Sequence, residues 1–394
     1  MRTRAAVVAI LGAGPAGCAA ALTLRSYVPE LSVVLVSTPA AVDGSPAVGE
    51  TLCPGVLPLL RYLGLHGDFL KANHLPAGGT ASAWGSEQVF ERNYLFAGRG
   101  SGWHLDRSRF DAWLLAHAES AGAHCIRGRA KHAGRTAGRW CIELDNGEAV
   151  SANFVVDATG RAAWLARHHG SNPQSSNSKR CIPHRDDALV AEVRWYVLDL
   201  SESSAEGALV ESTPDGWWYS ATLPGRRGVA MFMTDADLRS KTSWEARIAT
   251  APATRARLAP WRATSEATSR AANSQWIPAP AGDGWVAAGD AAAAFDPISS
   301  LGIGFSLRSG MEAARVGSVA GEDAAGPVAA AYVESIARIY ADYRTRLRGI
   351  YQREGRWPHA PFWSRRRGLP QTVRRASRLD TSRDSDSNEA MERG

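Results

Sequence analysis

The chain opens on a tight alternation of apolar blocks and glycine-rich breaks. Residues 5–11 (AAVVAIL) are an unbroken apolar run, which predicts a strand buried on both faces. GAGPAG follows at 12–17, then an alanine-rich helix (CAAALTLRSYV) that must end before Pro29, and a second buried strand at 32–37 (SVVLVS). A β-α-β unit is thus complete within ~35 residues, the span of a Rossmann unit. A loop at 43–52 precedes a predicted helix at 55–65. Residues 106–121 predict an amphipathic helix with Phe110, Trp113, Leu114 and Ala118 on one face. RWCIEL-DNGE-AVSANFVV (139–156) reads as a hairpin turning at Asn146-Gly147. Alternation between 186 and 240 predicts an antiparallel sheet, the floor of a substrate domain. GWVAA at 284–288 is another buried strand, and 326–352 is helical and basic. Residues 76–102 are rich in glycine and aromatics, 170–180 read as a mobile loop, and the polar stretch 379–394 as a disordered tail.

Composition narrows the class. With 394 residues, 45% hydrophobic, the chain can bury a large core shared by two joined domains. The net charge of +6 is modest, and no zinc spacing, recognition helix or basic-aromatic platform accompanies it, so nucleic acid is not the expected partner. The five cysteines are scattered without a CxxC pair, which predicts reduced thiols and a cytoplasmic protein. The basic-then-apolar start superficially resembles a signal peptide. Gly12, Gly14 and Pro15 interrupt it at dinucleotide spacing, and no apolar run reaches the ~18 residues of a membrane span.

Gly12-Ala13-Gly14-Pro15-Ala16-Gly17 sits between strand and helix, the context in which GxGxxG binds a dinucleotide. The first glycine permits the turn, the second lets backbone approach a pyrophosphate, and the third lets helix and strand pack. The acidic residue expected about 20 residues on is absent. Ser37 ends the second strand instead, a weaker partner for an adenosine ribose. Far downstream, GDAAAAFDPISSLGIG (289–304) reads as a second strand-loop-helix. It resembles the strand-loop-helix that closes over the ribityl and isoalloxazine parts of FAD, which would place Asp290 at a ribityl hydroxyl, let Pro297 fix the loop, and turn the positive end of the helix opened by Gly302-Ile303-Gly304 towards the flavin pyrimidine edge to stabilise the reduced anion.

Together with VDATGR (156–161) and GETL (49–52), this stretch resembles the FAD-dependent monooxygenase and tryptophan halogenase superfamily over residues 5–365. Within it, the similarity is greatest to flavoproteins that mature tryptophylquinone-containing amine oxidases by hydroxylating a tryptophan on a partner polypeptide. REGRWPHAPFWSRRR (353–367) also resembles that group. The resemblance implies an α/β, p-hydroxybenzoate-hydroxylase-like fold. A Rossmann-like FAD-binding domain (1–75, 103–172, 276–325) would carry an inserted antiparallel substrate domain (76–102, 173–275) and C-terminal helices (326–378). It also implies that Arg107 lies near the FAD phosphates. Gly49, Glu50 and Thr51 would run along the flavin, as would Pro297, Ser300, Gly302 and Ile303.

The same resemblance separates two chemistries. Flavin halogenases pass hypohalous acid to a lysine and carry a WxWxIP segment. Here the corresponding stretch reads Trp217-Trp218-Tyr219-Ser220-Ala221-Thr222-Leu223-Pro224, and the lysine position falls in Ala77-Gly78-Gly79-Thr80-Ala81, with Lys71 the only lysine nearby. Ser299 and Leu301 stand where tryptophan halogenases have a glutamate and a threonine by the halide. The expectation is therefore a monooxygenase. Reduced FAD and O2 would form a C4a-hydroperoxide, whose distal oxygen an electron-rich indole or phenol attacks in a dry, orienting pocket. Halogenation, or a non-catalytic maturation factor, are the alternatives. No NAD(P)H-binding Rossmann unit is visible, so electrons come from transiently bound NAD(P)H or a separate reductase. With 14 Trp in the chain, Trp218 and Tyr219 are candidate pocket walls, with Trp84, Trp103 and His104 further candidates. No catalytic residue is singled out, and no metal is expected. His168-His169 reads as a surface pair and Cys53 as an inert thiol. Arg365-Arg366-Arg367 is a solvated face or a patch for an acidic partner.

Overall fold

Continuous apolar strands need cover on both faces, and a parallel sheet flanked by helices supplies it. The computed structural model describes residues 2–38, 47–93, 101–168, 182–198, 207–239, 242–323 and 325–367. In it the strands Trp285–Ala287, Glu148–Asp157, Arg2–Leu11, Val33–Ser37 and His124–Arg127 lie side by side in that order, all parallel. The helix Pro15–Tyr27 connects the two central strands, as the apolar pattern predicts. Arg139–Leu144 pairs antiparallel with Glu148–Asp157, and the hairpin turns at Gly147 with φ 82°. The sequence pattern did not register two further strands, His124–Arg127 and Ala130–Thr136, which are short and largely exposed.

A second, mainly antiparallel sheet holds eight strands among the described residues. Its centre is Leu189–Leu198, Arg227–Asp235, Gly216–Leu223 and Ala208–Thr213. Gly79–Ala83 and Phe90–Asn93 extend it at the Ala208–Thr213 edge. One face meets the long helix Ala325–Gln352 and the short helix Pro361–Arg367, through Trp217, Tyr351, Phe362 and Trp363. The other face, with Trp218 and Phe232, is covered by Trp244–Ala249 and Pro252–Leu258. The fold is thus a mixed α/β one, a Rossmann-like domain with an added antiparallel sheet and C-terminal helices. The loop 170–180 and the tail 379–394 lie outside the described residues.

The arginine run at 365–367 is neither a solvated face nor a free patch. The side chain of Arg366 is only 9% exposed, its guanidinium 3.6 Å from the Phe362 ring centroid and paired with Asp235 at 2.7 Å. Arg365 bridges Asp235 (2.9 Å) and Asp237 (2.7 Å). The short helix is therefore fastened to the sheet by its own cations, which the linear charge pattern cannot reveal.

Candidate functional site

A cavity of about 340 Å³ opens where the two sheets meet, and widely separated segments wall it. Gly14, Pro15 and Ala16 come from the first turn of the helix Pro15–Tyr27, and Leu301, Gly302 and Ile303 from the start of Gly302–Ser318. Neither helix has a side-chain cap or an acidic residue in its first turn. The free N–H groups and positive ends of both helices thus face one space, as an anionic ligand requires. A Cβ at Gly14 or at Gly302 would meet no protein atom within 4 Å, so both glycines leave an open cradle beside those N–H groups. Gly12, at φ +104°, serves differently: a side chain there would run into the Ala158 carbonyl. Gly310 lets the two helices cross, since a Cβ would strike the Ala16 backbone.

Asp290 also lines the cavity, 3.5 Å from Arg161. Burial raises its carboxyl against the pull of Arg161 and Arg107. Arg161 ends the ATGR stretch and donates to the Phe295 carbonyl at 3.0 Å. Arg107, the first helical residue after the N-cap Asp106, donates to the carbonyls of Val48 (2.5 Å) and Gly49 (3.3 Å) and pairs with Asp111 at 3.0 Å. It therefore clamps the GETL loop from behind. Leu105 N–H adds a 2.7 Å bond to the Glu50 carbonyl. Thr51 Oγ1 and the Tyr219 hydroxyl are 2.6 Å apart, tying that loop to the antiparallel sheet.

The sheet supplies an apolar slot. Tyr219 stands opposite Met231, and Met233 opposite Ala191, so all four share one sheet face. They line the cavity with Ala271, Ala272 and Arg270. Residues of the Pro297–Ser300 loop close the slot towards the helices. Asp296 in that wall is 2% exposed and accepts from the Tyr351 hydroxyl at 2.6 Å and the Ile298 N–H at 3.0 Å. Burial, with Asp187 nearby, pushes its carboxyl up to about 6.

Of the sequence-predicted site residues, the cavity gathers Gly14, Pro15, Ala16, Gly49, Glu50, Thr51, Arg107, Asp290, Pro297, Ser300, Gly302, Ile303 and Tyr219. Gly12, Ala13 and Gly17 shape the turn without lining it, and Ser37 lies at the end of its strand, outside the wall. Four expected pocket residues are elsewhere. Trp218 points to the opposite sheet face, 4.7 Å from the Trp244 ring, because strand neighbours alternate sides. Trp84 packs edge-on against Trp363 at 5.3 Å and donates to the Ile350 carbonyl at 2.9 Å. Trp103 packs on Phe69 at 5.4 Å. His104 is fully buried, with Nδ1 2.6 Å from the Thr222 carbonyl and burial holding it down at about 4, so it is neutral; it pairs with Thr51 across the strands but does not itself line the cavity. The Met231, Met233 and Ala191 wall was missed. Its period-two alternation was readable, but the strand partner that brings it to Tyr219 was not. Cys53 donates to the Ser300 carbonyl across 3.7 Å, and His168 Nδ1 lies 2.7 Å from the Trp164 carbonyl; among the described residues no cluster of three metal-binding side chains occurs.

Glu50 is 2% exposed, and its Oε1 has no hydrogen-bond partner. Burial raises its carboxyl from the ordinary 4.5 to about 7, against backbone N–H groups and Arg107. Between those values the folded state binds more protons than the unfolded one. The stabilisation is complete below pH 4.5 and lost as pH rises through 7, roughly 3 kcal/mol in all. The ligand-free protein should therefore melt lower at pH 8 than at pH 5, and Glu50→Gln should flatten that slope; a melting series across pH measures it.

A family model described as tryptophan halogenase matches residues 90–393. LodB of Marinomonas mediterranea, which carries the name of an FAD-dependent oxidoreductase, is 31% identical over 91% of this chain and 95% of its own. Among solved structures, the peptidyl tryptophan dihydroxylase QhpG, described as essential for tryptophylquinone cofactor biogenesis, is 27% identical with a TM-score of 0.69, over 94% of this chain and 80% of its own. The flavin-dependent halogenase CmlS shares the fold, with a TM-score of 0.79 at 22% identity over 94% of this chain and 68% of its own. No helix among the described residues is long and apolar enough to cross a membrane.

Proposed function

The chain belongs to the tryptophan halogenase family, and from that premise we propose that it is an FAD-dependent monooxygenase that hydroxylates an electron-rich aromatic ring, an indole above all. The observation that carries this reading is the apolar slot of Ala191, Tyr219, Met231 and Met233, continuous with the two-helix cradle. A ring held in that slot would stand directly against the flavin loop. The open cradle at Gly14 and Gly302 fits FAD, with the pyrophosphate at the first helix and the pyrimidine edge at the second. Bound FAD would supply the two-electron activation of O2, and the rest of the task falls to the protein.

Each element then has a part. The Gly302 helix end would stabilise negative charge on the reduced cofactor. Arg107 and the Thr51–Tyr219 pair hold the GETL loop between cofactor and substrate. The two methionines adapt to the ring and keep water out, which an electrophilic oxygen transfer requires. Among the described residues the cavity cations are arginines, while Lys71 and Lys131 are exposed outside it. The lysine of a halogenating relay therefore has no counterpart there. The likeness to QhpG supports a tryptophan within a polypeptide as substrate. The electrons would come from NAD(P)H directly or through a reductase.

The halogenase names in the family keep the rival chemistry in view, and one experiment separates the two. FAD-loaded protein, a flavin reductase, NADPH, isotopically heavy dioxygen and chloride or bromide are incubated with tryptophan-containing peptides. Mass spectrometry should find heavy oxygen in the ring. Halide incorporation without oxygen would overturn the reading.

A further inference from the structure

Among the described residues, Glu50 is the one member of the cavity wall with a buried side-chain polar atom that has no partner. Buried acceptors are normally satisfied, and an exception in the wall of a cavity is explained by an atom of whatever fills that cavity. Its position says which. Val48, two residues before, packs against the apolar core of the antiparallel sheet, and Thr51, the next residue, bonds Tyr219 on the sheet face that lines the slot. The backbone of Glu50 is fixed on the other side by Leu105 N–H. The carboxyl thus stands at the seam between the cradle and the apolar slot, where the aromatic substrate of the proposed hydroxylase would lie.

We propose that Glu50 Oε1 accepts the ring N–H or O–H of the aromatic substrate and takes its proton as the ring is hydroxylated. This rests on the hydroxylase reading. In the overall step an aromatic C–H becomes C–OH. One atom of O2 forms the new C–O bond, the O–O bond breaks, the second atom leaves as water, and reduced FAD gives the two electrons. The new bond leaves the ring cationic. Loss of the N–H or O–H proton to Glu50 cancels that charge, and the C–H proton then restores the ring donor, so that the carboxyl ends the cycle ready to shed its proton to solvent. The raised carboxyl, near neutral pH, matches this duty, since a base works best when poised near the working pH. Arg107 on the clamping helix is the charged group that pulls its carboxyl down against burial. The other titratable and charged groups of the same wall are Asp290 and Asp296 on the downstream loop, Arg161 and Arg270.

The test begins with binding, before any turnover. Oxidised, FAD-loaded protein is titrated with N-acetyltryptophanamide and with its 1-methylindole counterpart, following the flavin absorbance. The wild type should bind the N–H probe about tenfold more tightly, the worth of one hydrogen bond to a charged group. Glu50→Leu should bind both alike. Glu50→Gln, which keeps an acceptor but no base, should keep the preference yet lose ring oxygenation at least about 100-fold. Equal binding of the two probes by the wild type, or an undiminished preference in Glu50→Leu, overturns the proposal. So does full oxygenation by Glu50→Gln, which decides alone should Glu50→Leu fail to fold. A wild type that discriminates between the probes but transfers halogen instead of oxygen leaves the Glu50 contact standing and removes only the hydroxylase reading.

Discussion

Gly14→Asp should leave the protein folded and weaken FAD binding by at least about 100-fold. The position is unusually permissive. Gly14 is the N-cap of the helix Pro15–Tyr27 with φ −76°, ordinary for any residue, and a Cβ there meets no protein atom within 4 Å. Aspartate is a preferred N-cap and should stabilise that helix end by a few tenths of a kcal/mol over glycine. The same carboxylate would occupy the cradle and present a negative charge where the pyrophosphate must sit. Like charges brought together at an interface cost several kcal/mol, and each 1.4 kcal/mol is tenfold in affinity. The helix would gain a cap while the cofactor loses its anion site, so stability and binding should move in opposite directions. Thermal melting of the ligand-free variant and FAD titration by fluorescence quenching measure the two sides. Retained FAD affinity in a well-folded Gly14→Asp would place the phosphates elsewhere and dismantle the cradle assignment.

That cradle was largely legible in the sequence, because the reasons for it are local. A short apolar strand, a glycine turn and an alanine-rich helix follow one another without a gap, and the same grammar recurs at 285–304. The hairpin at Asn146-Gly147 was equally local. The substrate side was less legible. Trp218 and Tyr219 are adjacent in one strand, so the pleat sends them to opposite faces, and both cannot wall one pocket. Which of the two faces inward depends on what covers each face. Trp218 meets Trp244, while Tyr219 meets the loop at Thr51, and neither partner is near in sequence. Met231 and Met233 reach the cavity only through the register that sets them opposite Tyr219 and Trp217. The GETL motif led to the expectation that Glu50 lies along a flavin, but its orphaned oxygen is a property of burial, which no motif records.

The C-terminal arginines were the most misleading, and they give the second large effect. Asp235→Ala should destabilise the protein by about 3–5 kcal/mol, the cost of leaving a buried cation without its partner. Asp235 is 3% exposed and bonds Arg366 through both oxygens, at 2.7 and 3.2 Å. Arg365 also leans on it at 2.9 Å but keeps Asp237, so Arg366 is the cation stranded by the change. The damage should not stop at the short helix. The Arg366 guanidinium lies 5.2 Å from the Tyr351 ring centroid, and the Tyr351 hydroxyl accepts from Trp217 Nε1 at 3.1 Å and donates to Asp296 in the cavity wall. Loosening Arg366 therefore loosens the support of the Pro297–Ser300 loop, and FAD affinity should fall along with the melting temperature. Asp235→Ala combined with Arg366→Met removes both charges and refills the space with an apolar chain, so most of the lost stability should return. Denaturant unfolding of the two variants beside the wild type reads the pair. A double variant as unstable as Asp235→Ala would mean that Asp235 acts through its other contacts, and that the arginine run fastens the helix less than its geometry implies.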